Sequence, residues 1–226
     1  MFMSGICLQS DISPLSFIGY CSCFLNDSDD TIELAAGLNF IYEVQLSKVL
    51  TIEKWNMPIK MKVEGNPSKE DINILNHIIK DFNKVNGFPD MGIVNEDENV
   101  LLIYVPKADL SKVQKEYNLG EIDKGICQSF SENGEIQRAI IVIESDVDQD
   151  YKNSVVLHEI FHMIGFYGHS YDNASVLNQI EKPVPKLSTI DTLAFRMLYN
   201  PEIMVGMNYH ELNIYYQDKE ITNFCA

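Results

Sequence analysis

His158 and His162 stand four residues apart in an apolar run, Val155-Val156-Leu157-His158-Glu159-Ile160-Phe161-His162-Met163-Ile164, and this spacing constrains the chain more than any other feature. Apolar residues recur there at helical spacing, so the run reads as a helix. Helical side chains four apart share a face, with Cβ atoms about 5–6 Å apart. Both imidazoles can therefore reach one tetrahedral zinc ion, with Glu159 beside the open coordination position. The chemistry asks for these residue types: zinc polarises a carbonyl and acidifies water, and a nearby carboxylate takes the water's proton. A buried amphipathic helix with two ordinary polar-face histidines would show the same spacing. The residues just C-terminal to the run favour the zinc site.

Gly165 stands where the helix should stop, in the place of a glycine that accepts a left-handed conformation. The chain can then turn back toward the metal. From Gly165 to His169 it spans up to about 13 Å, enough to deliver a third imidazole. A catalytic zinc normally has three protein ligands, and the helix supplies two. His169 is the nearest imidazole and Asp172 the nearest carboxylate, so the third ligand is one of these. His77 and His210 lie in segments without metal-ligand spacing. Gly168 is expected to adopt a conformation barred to other residues, which would absorb the extra residue before His169.

His158-Glu159-x-x-His162-x-x-Gly165 with a further histidine at His169 resembles the metzincin group of zinc peptidases. In most metzincins the third ligand falls where Gly168 stands here; this chain has its histidine one residue later. Ser175-Val176-Leu177-Asn178 resembles the metzincin Met-turn, with Leu177 at the place of methionine. The run from Leu187 to Tyr199 is similar to the C-terminal helix of those enzymes. Its continuation, Asn200-Pro201-Glu202-Ile203-Met204-Val205-Gly206-Met207, resembles more narrowly a little-characterised bacterial domain family of unknown function placed near the metzincins. The likeness covers roughly residues 50 to 210. It implies a twisted sheet packed on the zinc helix, Zn²⁺ held by His158, His162 and His169, Glu159 as general base, and a protein or peptide substrate. The oxyanion would rest chiefly on zinc; Asn178 occupies the place of an assisting tyrosine, leaving Tyr171 and Tyr199 as candidates. Two other readings stand beside this one. The first is a zinc-binding interaction domain of the same fold that cleaves weakly or not at all. The second is a zinc hydrolase acting on something other than peptides.

The net charge of −16 argues against nucleic acid or an anionic membrane as partner. No run reaches the roughly 18 apolar residues of a spanning helix. Met1 to Leu25 is mildly apolar but lacks Lys and Arg, and so lacks the positive start of a signal peptide, whereas similar bacterial domains usually belong to exported proteins. Cys7, Cys21, Cys23, Cys127 and Cys225 suggest neither a structural zinc site nor a disulfide framework, and read as buried or free thiols.

The order of elements predicts an α+β fold, with an N-terminal extension over 1–48 and a metzincin-like domain over 49–226; Thr31 to Leu50 mixes apolar and polar residues and could pack on the main domain. Trp55 to Val63 reads as a strand. Ser68 and Asp71 begin a helix expected to bury Ile72, Leu75, Ile78, Ile79, Phe82 and Val85. Val100 to Val105 reads as a buried strand stopped by Pro106, and Lys107 to Leu119 as a short helix. Asn133-Gly134 marks a hairpin between Ile126–Phe130 and Ile136–Ile143. Asp146, Asp148 and Asp150 imitate a calcium loop, but Tyr151 and Leu157 stand where it needs glycine and glutamate. Carboxylates favoured at a helix N-terminus are the better reading. Ser188 and Asp191 begin the last helix expected, which Pro201 ends.

Overall fold

A computed structural model describes residues 29–178 and 184–224. Cys7, Cys21, Cys23 and Cys225 lie outside the described residues; Cys127 is a free thiol. Among the described residues five strands form one mixed sheet in the order β2-β1-β3-β5-β4. The strands are β1 (Ile59–Gly65), β2 (Met91–Ile93), β3 (Val100–Val105), β4 (Gly125–Glu132) and β5 (Glu135–Glu144). β2, β1, β3 and β5 run parallel, and β4 closes one edge antiparallel to β5.

Each reversal follows from local chemistry. Asn133 and Gly134 both take positive φ, 53° and 82°, as a two-residue hairpin turn with strand-matching twist requires. β3 alternates in the sheet's period of two: Val100, Leu102 and Tyr104 enter the main core, while Ile103 and Val105 face a smaller cluster. That smaller cluster also holds Leu110 of the short helix α3 (Leu110–Glu116) and Val142 of β5.

The main core lies on the other face, under α2 (Lys69–Phe82), α4 (Gln149–Met163) and α5 (Thr189–Leu198). α2 and α5 each begin with a complete capping box, at Ser68/Asp71 and Ser188/Asp191. α4 packs on β4 and β5. Its start is tied to α2, because buried Lys152 lies 3.3 Å from Asp71 and Gln149 donates to the same carboxylate at 2.7 Å. Asp148 caps α4 by accepting from the amides of Asp150 and Tyr151, and Asp146 accepts from Lys107 N. Asp148 thus caps the helix and Asp150 stands in its first turn, as the N-terminal reading expects, while Asp146 serves a loop.

The structure differs from the sequence reading in three places. Trp55 precedes the first strand rather than opening it, because its ring is buried and Nε1 donates to the Met163 carbonyl at 2.9 Å. The helix ending before Pro201 is not the last: α6 (Tyr209–Phe224) follows it, with Leu212 and Tyr216 buried. Ile72 and Val85, expected on the buried face of α2, are half-buried, and Val85 lies beyond the helix end at Phe82. Within residues 29–48, which pack on the main domain, Leu38, Phe40, Ile41, Val44 and Leu46 join the main core. Their helix α1 (Asp29–Ile41) packs on α5, where Gly37 leaves room for Leu193 and Met197. No helix among the described residues is long and apolar enough to cross a membrane.

Candidate metal centre

α4 carries His158, Glu159 and His162 in its last two turns. At that end three successive carbonyls, which no helix can satisfy internally, are taken by side chains from distant elements. Trp55 donates to Met163 O at 2.9 Å, Tyr199 to Ile164 O at 2.8 Å, and Gln45 to Gly165 O at 2.7 Å. Gly165 has φ +113°, and a Cβ there would lie 2.7 Å from Glu53 O, so glycine is required for both reasons. The chain then doubles back, and the Phe166 carbonyl accepts from Nδ1 of His162.

This turn brings His169 to the two helical histidines. The ligating nitrogens of His158, His162 and His169 lie within 4.8 Å of one another. His158 and His162 are half-buried and His169 is exposed at the open side. Asp172, the other candidate, stands apart from this cluster; its carboxylate accepts from Ala174 N at 2.9 Å and shapes a turn. Gly168 departs from expectation, having no positive φ. Glycine is needed there for closeness, since a Cβ would lie 3.1 Å from Val44 Cα and 3.2 Å from Glu43 O.

Nδ1 of His158 pairs with the Val176 carbonyl at 2.6 Å, and Nδ1 of His162 with that of Phe166. A carbonyl only accepts, so both rings carry their proton on Nδ1 and present bare Nε2 lone pairs. These two Nε2 atoms face each other at 3.0 Å. Two lone pairs at that distance repel unless a cation lies between or beside them. Neutral imidazoles oriented by backbone carbonyls are what a divalent metal requires, so the residues fit zinc.

The turn that holds His158 is itself anchored. Buried Asp191 accepts from Ser175 Oγ at 2.6 Å and from Val176 N at 3.0 Å, and Leu177 N donates to Ser175 Oγ at 3.0 Å. Leu177 is fully buried in the main core. Tyr199, offered by sequence as an oxyanion partner, is buried and bonded to Ile164 O and Trp55 N, and Tyr171 is 81% exposed. Neither lines the cavity beside the histidines.

Residues 36–218 match the sequence profile of a family described as "Protein of unknown function (DUF2927)". The chain belongs to this family. No curated protein matches it in sequence. Among solved structures it is similar to High choriolytic enzyme 1, a hatching enzyme zinc-protease from Oryzias latipes (Medaka fish), at 13% identity and a TM-score of 0.38, over 68% of this chain and 96% of that one.

In this DUF2927 chain the three histidines open on a cavity of about 710 Å³. Its walls include Gly125 and Cys127 of edge strand β4, Tyr151 and Glu159 of α4, Tyr167, and Lys48 at the rim. Glu159 lies against β4, where a Cβ on Gly125 would come 2.7 Å from its Oε1. Burial pushes the Glu159 carboxyl up to about 8. Burial also lowers His158 to about 4, against the Val176 hydrogen bond and with help from neighbouring His169. His162 is lowered well below its ordinary value, first by burial. Burial raises the Cys127 thiol strongly, so it is no thiolate at neutral pH.

Sequence reasoning found the three histidines and Glu159 but missed the cavity wall. Gly125, Tyr151 and Tyr167 carry no local motif; only the hairpin register and the helical period could have placed the first two beside His158.

Proposed function

We propose that this DUF2927 chain is a zinc-dependent peptidase of metzincin-like fold. The observation that carries the reading is the convergence of three imidazoles, two of them fixed by backbone carbonyls, in a cavity that also contains the Glu159 carboxylate. His158, His162 and His169 hold the metal. Zinc, when bound, supplies Lewis acidity that polarises a carbonyl and acidifies water. Glu159 is the proton carrier: burial alone holds its carboxyl high, a metal cation on the neighbouring histidines would favour the ionised form, and that carboxylate takes a proton from the attacking water and delivers it to the leaving amine. Gly125 keeps β4 close to this carboxylate and limits its exposure to solvent. Asp191, through the Ser175–Val176 turn, keeps the His158 ring in register. The substrate is a peptide or protein chain admitted through the cavity between β4 and the loop bearing His169.

The test is metal analysis of the purified chain, followed by a mixed peptide library with and without chelator. One equivalent of zinc and cleavage abolished by chelation are expected. Zinc binding without cleavage would leave the interaction-domain reading, and no zinc binding would remove both.

A further inference from the structure

Three successive residues of one turn near the N-terminus hold the loop that carries His169. α1 ends in a π-helical turn, Tyr42–Leu46, in which Ser47 N donates to Tyr42 O at 2.8 Å, five residues back. Such turns are rare and cluster at functional sites. Each of its three central residues is hydrogen-bonded to the loop, Glu43 twice. Gln45 Nε2 donates to Gly165 O at 2.7 Å, at the start of the loop. Val44 O accepts from Gly168 N at 2.6 Å, beside the histidine. The Glu43 carboxylate accepts from Ser170 Oγ at 3.1 Å and from Tyr171 N at 3.0 Å, immediately after it.

The wider turn has a geometric consequence. A π turn carries one more residue than an α turn, so Glu43, Val44 and Gln45 present a side chain, a carbonyl and a side chain to one neighbour in sequence order. The loop meets them without space between, because Gly165 and Gly168 both sit where a Cβ would press on this turn or on Glu53. His169, the most exposed of the three histidines, has its backbone pinned on both sides by residues more than 120 positions earlier in the chain.

Resting on the zinc reading, we propose that the Tyr42–Leu46 turn is a positioning element of the metal centre, and that Glu43 is the positioning residue that sets His169 toward the metal. Glu43 does not touch the metal. It acts by fixing the backbone of residues 170 and 171, which removes the freedom that an exposed loop histidine would otherwise lose on each binding event. Residues 29–48 thereby belong to the working site.

The experiment measures zinc affinity of the full chain by competition with a chromogenic chelator, for Glu43→Ala and Glu43→Gln, each in the natural background and with His169→Ala. Glu43→Ala is expected to weaken zinc binding about 10–100-fold, the range for residues that orient a metal ligand. Glu43→Gln should restore binding to within about threefold, since its amide oxygen accepts from Tyr171 N and its NH₂ reaches Ser170 Oγ. Adding Glu43→Ala to His169→Ala should weaken binding no further, because the two act through one ligand. Ser170→Ala, which removes one of the two Glu43 contacts together with the bond its Oγ accepts from Asp172 N, serves where Glu43→Ala does not fold; it should weaken binding by a smaller factor that also vanishes with His169→Ala. A folded Glu43→Ala chain that binds zinc like the natural one overturns the proposal, as does an equal loss in both backgrounds. If the natural chain binds no zinc, the reading beneath it falls and this inference falls with it.

Discussion

The Val176 carbonyl lies 2.6 Å from Nδ1 of His158, and the amide of the same residue donates to Asp191 at 3.0 Å. One peptide segment thus connects a candidate metal ligand to a buried carboxylate at the start of another helix. Asp191 also accepts from Ser175 Oγ and from both the amide and hydroxyl of Ser188.

Removing that carboxylate strands several buried donors together. Asp191→Ala is expected to destabilise the fold by about 3 kcal/mol or more, the cost of leaving buried hydrogen-bonding groups without their charged partner. Urea unfolding checks the stability. Zinc titration of the folded variant should also show weaker binding, because the His158 ring loses its fixed acceptor.

Glu159 has a role separable from metal binding. Glu159→Gln keeps the shape and should hold zinc at the natural stoichiometry, while peptide cleavage falls about 100-fold or more, the loss expected for a general base. Metal analysis and turnover measured on the same sample decide it; joint loss of metal and activity would assign Glu159 to coordination instead.

His169 and Asp172 separate cleanly. His169→Ala should lower zinc affinity by more than the roughly 10–100-fold typical of residues that merely orient a ligand. Asp172→Ala should leave affinity near its natural value, because this carboxylate serves a turn amide. The reverse order of effects in a chelator competition would make the centre two histidines and an aspartate.

Leu177, next to Val176 whose carbonyl meets His158, is fully buried in the main core. Leu177→Ala should cost about 2–5 kcal/mol, the range for a buried leucine truncated to alanine. Leu177→Met, close in volume, should cost less than about 1.5 kcal/mol and preserve zinc binding. Equal costs for the two would show that packing at this position does not matter.

Acid should loosen the join between α2 and α4. Burial pushes the Asp71 carboxyl up, but hydrogen bonds from Gln149 and Ser68 and the charge of Lys152 outweigh it and hold it below its ordinary 3.8. A depressed carboxyl contributes stability that is complete above the unfolded value and is lost as pH falls through the folded one. The natural chain should therefore lose stability as pH drops below about 4. Asp71→Asn, which leaves the Lys152 ammonium buried without its partner, should cost about 3–5 kcal/mol at pH 7. Its deficit should shrink as pH falls through that window in urea titrations, and a deficit independent of pH would refute the assignment.

Much of the scaffold was legible because it rests on short-range chemistry. The capping boxes at Ser68/Asp71 and Ser188/Asp191, the Asn133-Gly134 turn and the buried strand Val100–Val105 each announce themselves within a few residues. The histidine pair was legible for the same reason. Trp55 was misread as strand because its apolar ring serves the end of α4, a tertiary use with no local period. Gly168 was rightly singled out but for a conformational reason, whereas the structure uses its lack of bulk against Val44. The Tyr42–Leu46 turn was invisible, since its meaning lies in a loop 120 or more residues away. Tyr199 looked available as a hydroxyl donor, and only the fold shows that donor spent on Ile164.

Gln45 and Gly165 are separated by 120 residues, and their hydrogen bond closes one of the longest loops in the chain. Such closures carry the full entropic cost of joining distant segments, and they complete late in folding. On the zinc reading, the cage of three imidazoles is then assembled after the sheet, so ion capture is the final step of maturation rather than its trigger. Zinc present during refolding should leave the rate of core formation unchanged and register only afterwards, as a separate slow signal.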